Sequence, residues 1–257
     1  MKNLVSILGA LLLLPSLVFG AVGYDGTDDA HLVNNPNVGC VTAFTWCAWI
    51  YTTAWQDNGA VFSYGDGSAT VGTGFEIITR DSANIRARFY SGATAVQIDG
   101  PGSLATSTWI HMCFRHGGVN HDEWWIDATD GNFDVEDDLI DPTIQTSTDD
   151  ILSSKQIPNQ TRADFNGRKA HEGFWCDDLL STEIDDLASK VSCPEDVQNA
   201  DLEYFTTLDA AGSVTDESTN AFTVVEEGNP STQTGPVSLP CGAAATNNLF
   251  VVGSGED

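Results

Sequence analysis

Phe44-Thr45-Trp46-Cys47-Ala48-Trp49-Ile50 and Trp109-Ile110-His111-Met112-Cys113-Phe114 decide how this chain is read. Both stretches are rich in aromatic and β-branched residues and almost free of charge, so each reads as a β-strand that buries both faces. A cysteine stands at the middle of each. That placement suggests one disulfide tying two strands of a sandwich together and stitching its layers.

Working outward, short apolar runs alternate with turn clusters such as Asp57-Asn58-Gly59, Gly65-Asp66-Gly67, Gly72-Thr73-Gly74 and Gly117-Gly118. The pattern predicts strands over 31–33, 44–51, 60–64, 75–79, 85–90, 95–98, 109–115 and 123–127, with two more over 202–208 and 222–225. Strands at this spacing with almost no helical periodicity argue for an antiparallel sandwich. One short helix stands out near residues 181–191. Ser181 or Thr182 would cap it, Lys190 suits its last turn, and Ile184, Leu187, Ala188 and Val191 share one face that would dock on the sandwich. Residues 228–240 are rich in Ser, Thr, Pro and Gly and read as irregular. The whole segment 228–257 is either irregular or an added edge strand.

The chain has 257 residues, enough for one large β domain, and carries 10 Lys+Arg against 37 Asp+Glu for a net charge of -27. Such a surface repels phosphate backbones and anionic lipid, which argues against nucleic acid and membrane partners. Solubility in a salty medium, divalent cation binding and a cationic partner are the three readings of this acidity. Residues 1–20 read as a secretory signal: Lys2 is the charged start, 4–14 the apolar core, and Val18-Phe19-Gly20 the cleavage region before Ala21. The six cysteines, in a chain read as secreted, favour disulfides over free thiols, and none has the CxxC spacing of a zinc site. Many pairings are open, and spacing alone does not choose among them.

Several words in order resemble the laminin-G-like and pentraxin-like branch of the concanavalin A-like jelly rolls. Phe44-Thr45-Trp46-Cys47 followed by Val61-Phe62-Ser63-Tyr64 is similar to the pentraxin words around the first cysteine. His111-Met112-Cys113 resembles the family's His-x-Cys element, and Trp124-Trp125-Ile126-Asp127 the strand after it. Phe165-Asn166-Gly167-Arg168 through Phe174-Trp175, then Leu180-Ser181, resembles the element before the family's single helix. Asp25-Gly26-Thr27-Asp28-Asp29 resembles the opening turn of laminin-G-like modules. The resemblance covers about residues 22–225. It implies an all-β, two-sheet antiparallel jelly-roll sandwich over 21–227 and a Cys47–Cys113 disulfide. Apart from the resemblance, Cys176–Cys193 across the helix and Cys40–Cys241 between the chain's ends are the pairs expected for the other four cysteines.

The resemblance fails where pentraxins hold calcium. Gly72-Thr73-Gly74-Phe75 and Ser154-Lys155-Gln156-Ile157 stand where the family has its carboxylate ligands, and Phe114-Arg115 replaces the residues that normally follow His-x-Cys. Calcium-dependent phosphocholine binding is therefore not implied. No cofactor is expected. Asp25, Asp28 and Asp29 are weak calcium candidates, with an acidic turn capping the first strand as the plainer reading.

The same fold hosts glycosidases, whose paired carboxylates lie on one cleft strand. Glu183-Ile184-Asp185-Asp186-Leu187 sits on the helix and lacks the last acid, and Glu123 and Asp127 have no third partner. His116 and His121 could meet across a hairpin with Asp122 nearby, though turn-flanking histidines are more often plain surface residues. Sugar rings stack on exposed aromatics, which makes Trp49, Trp55, Trp125, Tyr64 and Tyr90 the glycan-stacking candidates. Trp46, Trp109 and Trp175 read as packing. The expectation is a secreted or cell-surface, non-catalytic module that binds an extracellular glycan or protein surface. A self-assembling structural component and a glycoside hydrolase of the same fold are the alternatives.

Overall fold

The computed structural model describes residues 20–34, 36, 38, 40, 43–65, 74–80, 83–91, 94–117, 122–127, 129–130, 150–156, 163–208, 210–212 and 214–236. In chain order the strands are β1 (Gly20–Asp25), β2 (Ala30–Val33), β3 (Phe44–Tyr51), β4 (Gly59–Gly65), β5 (Gly74–Arg80), β6 (Asn84–Ser91), β7 (Thr94–Asp99) and β8 (Trp109–His116). They continue with β9 (Asp122–Ile126), β10 (Thr129–Asp130), β11 (Ile151–Ser153), β12 (Ala163–Asp164), β13 (Asn166–Trp175), β14 (Leu202–Thr206), β15 (Val224–Glu227) and β16 (Ser231–Thr234). The α-helix α1 (Ser181–Ala188) and a 3-10 turn (Pro194–Asp196) lie between β13 and β14.

These strands form two eight-stranded sheets. One runs β10-β9-β8-β3-β13-β1-β16, with β14 beside the second half of β13. The other runs β15-β2-β11-β4-β5-β6-β7. Every pairing is antiparallel except the two-residue contact of β12 with β4. The fold is the jelly-roll sandwich expected from the sequence, and most predicted strands fall within a residue or two of their observed bounds.

The inner faces of the two sheets enclose one aromatic core. Phe44, Trp46, Phe62, Phe75, Phe89, Phe114, Trp124 and Phe174 belong to it. Phe44 alone packs its ring within 4.6–6.0 Å of Phe75, Phe89, Phe114 and Phe174. Removing such rings from water is the main driving force for closing the sandwich.

A second apolar layer explains why β3 carries no charge on either face and β8 carries only Arg115, near its end. Cys47, Cys113, Trp125, Trp175, Ile184, Leu187 and Phe205 cluster beneath α1, on the outer side of the first sheet. The Cys47–Cys113 disulfide lies in that layer, with an S–S distance of 2.00 Å. Its cysteines are direct cross-strand partners on β3 and β8. It therefore ties neighbouring strands of one sheet and does not stitch the two sheets across the core. A second bridge joins Cys40 to Cys176, which replaces both the Cys176–Cys193 and the Cys40–Cys241 pairs expected from the sequence. Cys193 is also disulfide-bonded, and Cys241 lies outside the described residues.

The helix departs from its predicted details. It starts at Ser181 with Leu180 as its N-cap residue, so neither Ser181 nor Thr182 caps it. Glu183 does part of that task, accepting the Leu180 backbone N–H at 2.7 Å. Ile184, Leu187 and Ala188 are buried as expected. Val191 lies past the helix end and is 69% exposed, so it takes no part in docking. Lys190 is also beyond the last turn, and its ammonium sits 4.8 Å from the centre of the Trp49 ring. The region expected to be irregular from residue 228 contains β16, which pairs with β1. Residues 1–19 and 237–257 lie outside the described residues.

Candidate binding site

An open groove of about 550 Å³ lies where the end of β1 and the start of β13 meet β16. Its walls come from the 25–29 turn, the end of β3 at Tyr51, Thr52 and Thr53, the start of β13 at Asn166, Gly167 and Arg168, and the 228–233 stretch. The walls are fixed by local bonds. Asp29 accepts the Asp25 backbone N–H through Oδ2 at 3.0 Å and the Asn229 N–H through Oδ1 at 2.7 Å. Asp25 accepts the Thr27 N–H at 2.8 Å. Gly228 sits at φ 71°, and a Cβ there would meet Asp28 O and Asp29 Oδ1 at 2.6 Å. Only glycine lets the β15–β16 turn approach this acidic turn so closely.

The Thr52 hydroxyl anchors the opposite wall, lying 2.7 Å from Ala54 O and 3.2 Å from Asn166 O. The Arg168 guanidinium lies 4.7 Å from the centre of the Tyr51 ring, which in turn contacts Trp109 at 5.6 Å. Arg168 is thus a cation held on an aromatic platform beside the groove, in a chain with only 10 Lys+Arg. Gly167 permits this wall, since a Cβ there would meet Phe165 Cζ at 2.4 Å and Tyr51 O at 2.6 Å. Gly167→Ala is expected to lose about 1–3 kcal/mol by overpacking, read as a lower urea midpoint, with Gly102→Ala in open space as the neutral control.

Asp25, Asp28 and Asp29 present carboxylate oxygens within 4.8 Å of one another. An all-oxygen set suits a hard cation. Two of the three carboxylates already accept backbone N–H groups, however, and Asp29 is buried. These bonds are what an acidic turn that locks β1 would make.

The stacking candidates are mostly not available to a sugar. Tyr64 is fully buried, and its hydroxyl donates to Val38 O at 3.1 Å. Trp125 lies in the layer beneath α1, with its indole N–H donating to Glu123. Trp49 is buried between Lys190 and His111, the latter at 5.1 Å. Trp49 and Trp125 lie on the outer face of their strands, which is itself covered, whereas the Tyr64 ring points into the aromatic core beside Phe174. Trp55 is half-buried, and its indole N–H reaches Leu104 O at 3.1 Å. Tyr90 is half-buried and donates to Glu76 at 2.5 Å. None of the five lines the groove.

Three of the acids weighed for catalysis are engaged in structural bonds. Glu123 accepts from Arg115 and Trp125, Asp127 accepts the His111 backbone N–H, and Glu183 holds the start of α1. His116 is not a surface residue. It is buried against Phe44 and Phe89, and its Nδ1 donates to Asp122 at 2.6 Å. His121 lies outside the described residues.

A buried ionic cluster, missed by sequence reading, links β13 to the core. Lys169 Nζ donates to Glu172 Oε1 at 2.7 Å, Ser153 Oγ at 2.5 Å and Val61 O at 2.8 Å. Burial pushes the Lys169 pKa down, while the Glu172 charge opposes that shift. Arg168, Tyr51, Asn166, Asn229 and Gln233, all at the groove, were also missed. The one signal for Arg168 was the scarcity of cations in the sequence.

Comparison with known proteins agrees with this architecture. Residues 25–134 match the family described as the Concanavalin A-like lectin/glucanases superfamily. A search of the curated proteins finds no match. Among solved structures, the chain is similar to a native heptameric SAP-like pentraxin from Limulus polyphemus, with 13% identity, 81% of this chain and 94% of that chain covered, and a TM-score of 0.53. It is also similar to a protein from Bacteroides ovatus assigned provisionally to carbohydrate binding, with 13% identity, a TM-score of 0.58, and 86% of this chain but 62% of that one covered. The CBM40 of the Ruminococcus gnavus IT-sialidase, solved with alpha2,3 sialyllactose, gives 12% identity and a TM-score of 0.51, over 66% of this chain and 98% of that chain. At these identities the likeness is one of fold. The match over residues 25–134 and the sheet order agree on a concanavalin A-like sandwich fold, and the likeness to pentraxin and carbohydrate-binding structures extends to that fold.

Proposed function

We propose that this chain is a secreted, non-catalytic module that binds an extracellular glycan through the groove between β1, β13 and β16. The observation that carries the reading is the groove itself: an open, polar depression lined by Arg168 on Tyr51 and by Asn166, Asn229, Ser231 and Gln233. Amide, hydroxyl and guanidinium groups of this kind pair with sugar hydroxyls, and an aromatic base orients them. Two disulfides fit an oxidising compartment. Solved structures of this fold that hold a sialyllactose or an arabinotriose show that the sandwich can carry a glycan site.

A glycan array and soluble-polysaccharide pull-downs test the reading. Retention on at least one neutral or acidic glycan is expected. Arg168→Ala should weaken that binding about tenfold or more, because a charged hydrogen bond is worth about 1.5–3 kcal/mol. Silence across neutral and acidic sugars would move the weight to self-assembly, which a strict monomer in size-exclusion chromatography would in turn argue against.

A further inference from the structure

A different part of the molecule carries chemistry that glycan binding does not use. On the outer face of the first sheet, beneath the end of α1, a small space is lined by Cys47, Trp49, His111, His171, Leu187 and Pro194, among others. His111 Nε2 lies 4.0 Å from Cys113 Sγ. One ligand atom from each of Cys47, Cys113 and His111 falls within 4.8 Å of the others.

The second histidine is an independent observation. His171 is 4% exposed, and neither of its ring nitrogens has a hydrogen-bond partner. Buried imidazoles without partners are uncommon because each lost bond carries a desolvation cost. His171 also sits at φ 49°, inside the register shift of β13 between Ala170 and Gly173. A left-handed non-glycine residue in a strand stores strain, and such strain collects at functional positions. The shift breaks the alternation of β13 and leaves His171 lining the same space as His111. His111 Nδ1 is unpartnered too. His111 and His171 thus bring buried, unpartnered ring nitrogens to one space.

We infer that, when the Cys47–Cys113 bridge is reduced, Cys47, Cys113, His111 and His171 hold one zinc ion. Two sulfurs and two imidazole nitrogens are a borderline-soft donor set that suits tetrahedral zinc, at about 2.3 Å to sulfur and about 2.0 Å to nitrogen. The electron balance is simple. A dithiol gives two electrons and two protons to the disulfide, becoming a disulfide itself and leaving two thiols. Zinc then displaces those two protons to solvent as it binds the thiolates. Reoxidation of the pair by a small-molecule disulfide, which takes up the two electrons and two protons as it becomes two thiols, expels the ion, so the bridge and the metal are alternative occupants of one place. The inference does not depend on the groove or its ligand.

The full-length protein, reduced with a phosphine and titrated with Co²⁺ as a zinc probe, tests this. One equivalent should bind with a thiolate-to-cobalt charge-transfer band, and zinc should displace it. Alkylation of the reduced protein followed by mass spectrometry should show Cys47 and Cys113 protected by zinc, and Cys40 and Cys176 unprotected. His171→Asn keeps a residue that tolerates the left-handed backbone but removes the ligand. It should weaken binding by about tenfold or more, the loss that even an outer partner of a ligand costs. The inference is overturned by absence of the band, by protection of other cysteines, or by loss of native circular dichroism before metal is added. Unchanged affinity in His171→Asn would overturn it as well. Failure of glycan binding would leave these outcomes unaffected.

Discussion

Replacing Glu172 with leucine is expected to lower stability by about 3–5 kcal/mol, because it strands the Lys169 ammonium in the core without its carboxylate. Both side chains are fully buried, 2.7 Å apart, on a strand in the middle of its sheet. The remaining partners of Lys169, Ser153 Oγ and Val61 O, are neutral and cannot balance its charge. The Trp46 indole N–H, 3.3 Å from Glu172 Oε1, would lose its acceptor in the same substitution. The double variant Lys169→Met, Glu172→Leu should recover much of the loss, since no unpaired charge is left and the two chains fill similar volume. Urea denaturation of the two single variants and the double gives the coupling directly. Additive losses would show that the two groups do not act as a pair.

Acidification should act almost as strongly. Burial lowers the pKa of His31 to about 4, of His111 to about 3 and of His171 to about 4. An unfolded chain titrates its histidines near pH 6.5. Above that value both states hold these rings neutral, and the histidines contribute no pH dependence. Between about 6.5 and 4 the unfolded state binds protons that the folded state refuses, so stability falls as pH falls. Each histidine contributes up to about 1.4 kcal/mol per pH unit, and the three together set an upper slope of about 4 kcal/mol per unit. Urea midpoints measured from about pH 7.5 to 4.5 should therefore be flat and then drop, with unfolding taking up close to about three protons near pH 5. His171→Asn should remove about a third of the slope. A flat profile through this window would mean that the histidines are not buried as described.

The sequence made some elements plain and hid others for physical reasons. β3 and β8 were legible because both of their faces are buried, one by the aromatic core and one by the layer beneath α1, which leaves continuous apolar words. β13 was hidden. Its segment Asn166-Gly167-Arg168-Lys169-Ala170-His171-Glu172-Gly173 reads as polar, yet most of it is buried. Its Lys169 and Glu172 charges neutralise each other, and their further hydrogen bonds run to neutral groups far away in the chain, Val61 O and the Trp46 indole N–H. Burial of such a pair by distant strands leaves no local pattern.

The groove was hidden for a similar reason. It is assembled from four segments whose polar residues look like ordinary turns until β16 closes beside β1. The stacking candidates were chosen by alternation or for a place in a loop; Trp49 and Trp125 do lie on the outer face, but Tyr64 points into the core. Alternation does not report that a helix and Lys190 cover that face.

The two described bridges are nested. The segment closed by Cys47 and Cys113, 66 residues apart, lies wholly inside the one closed by Cys40 and Cys176, 136 apart. Concentric closures never thread through one another, so either can form first without trapping the chain. A single backbone cut between 114 and 175 opens the larger ring and leaves the smaller intact. The two fragments then stay covalently attached until a thiol releases them, so enzymatic nicking of that stretch would not by itself shed either half of the sandwich.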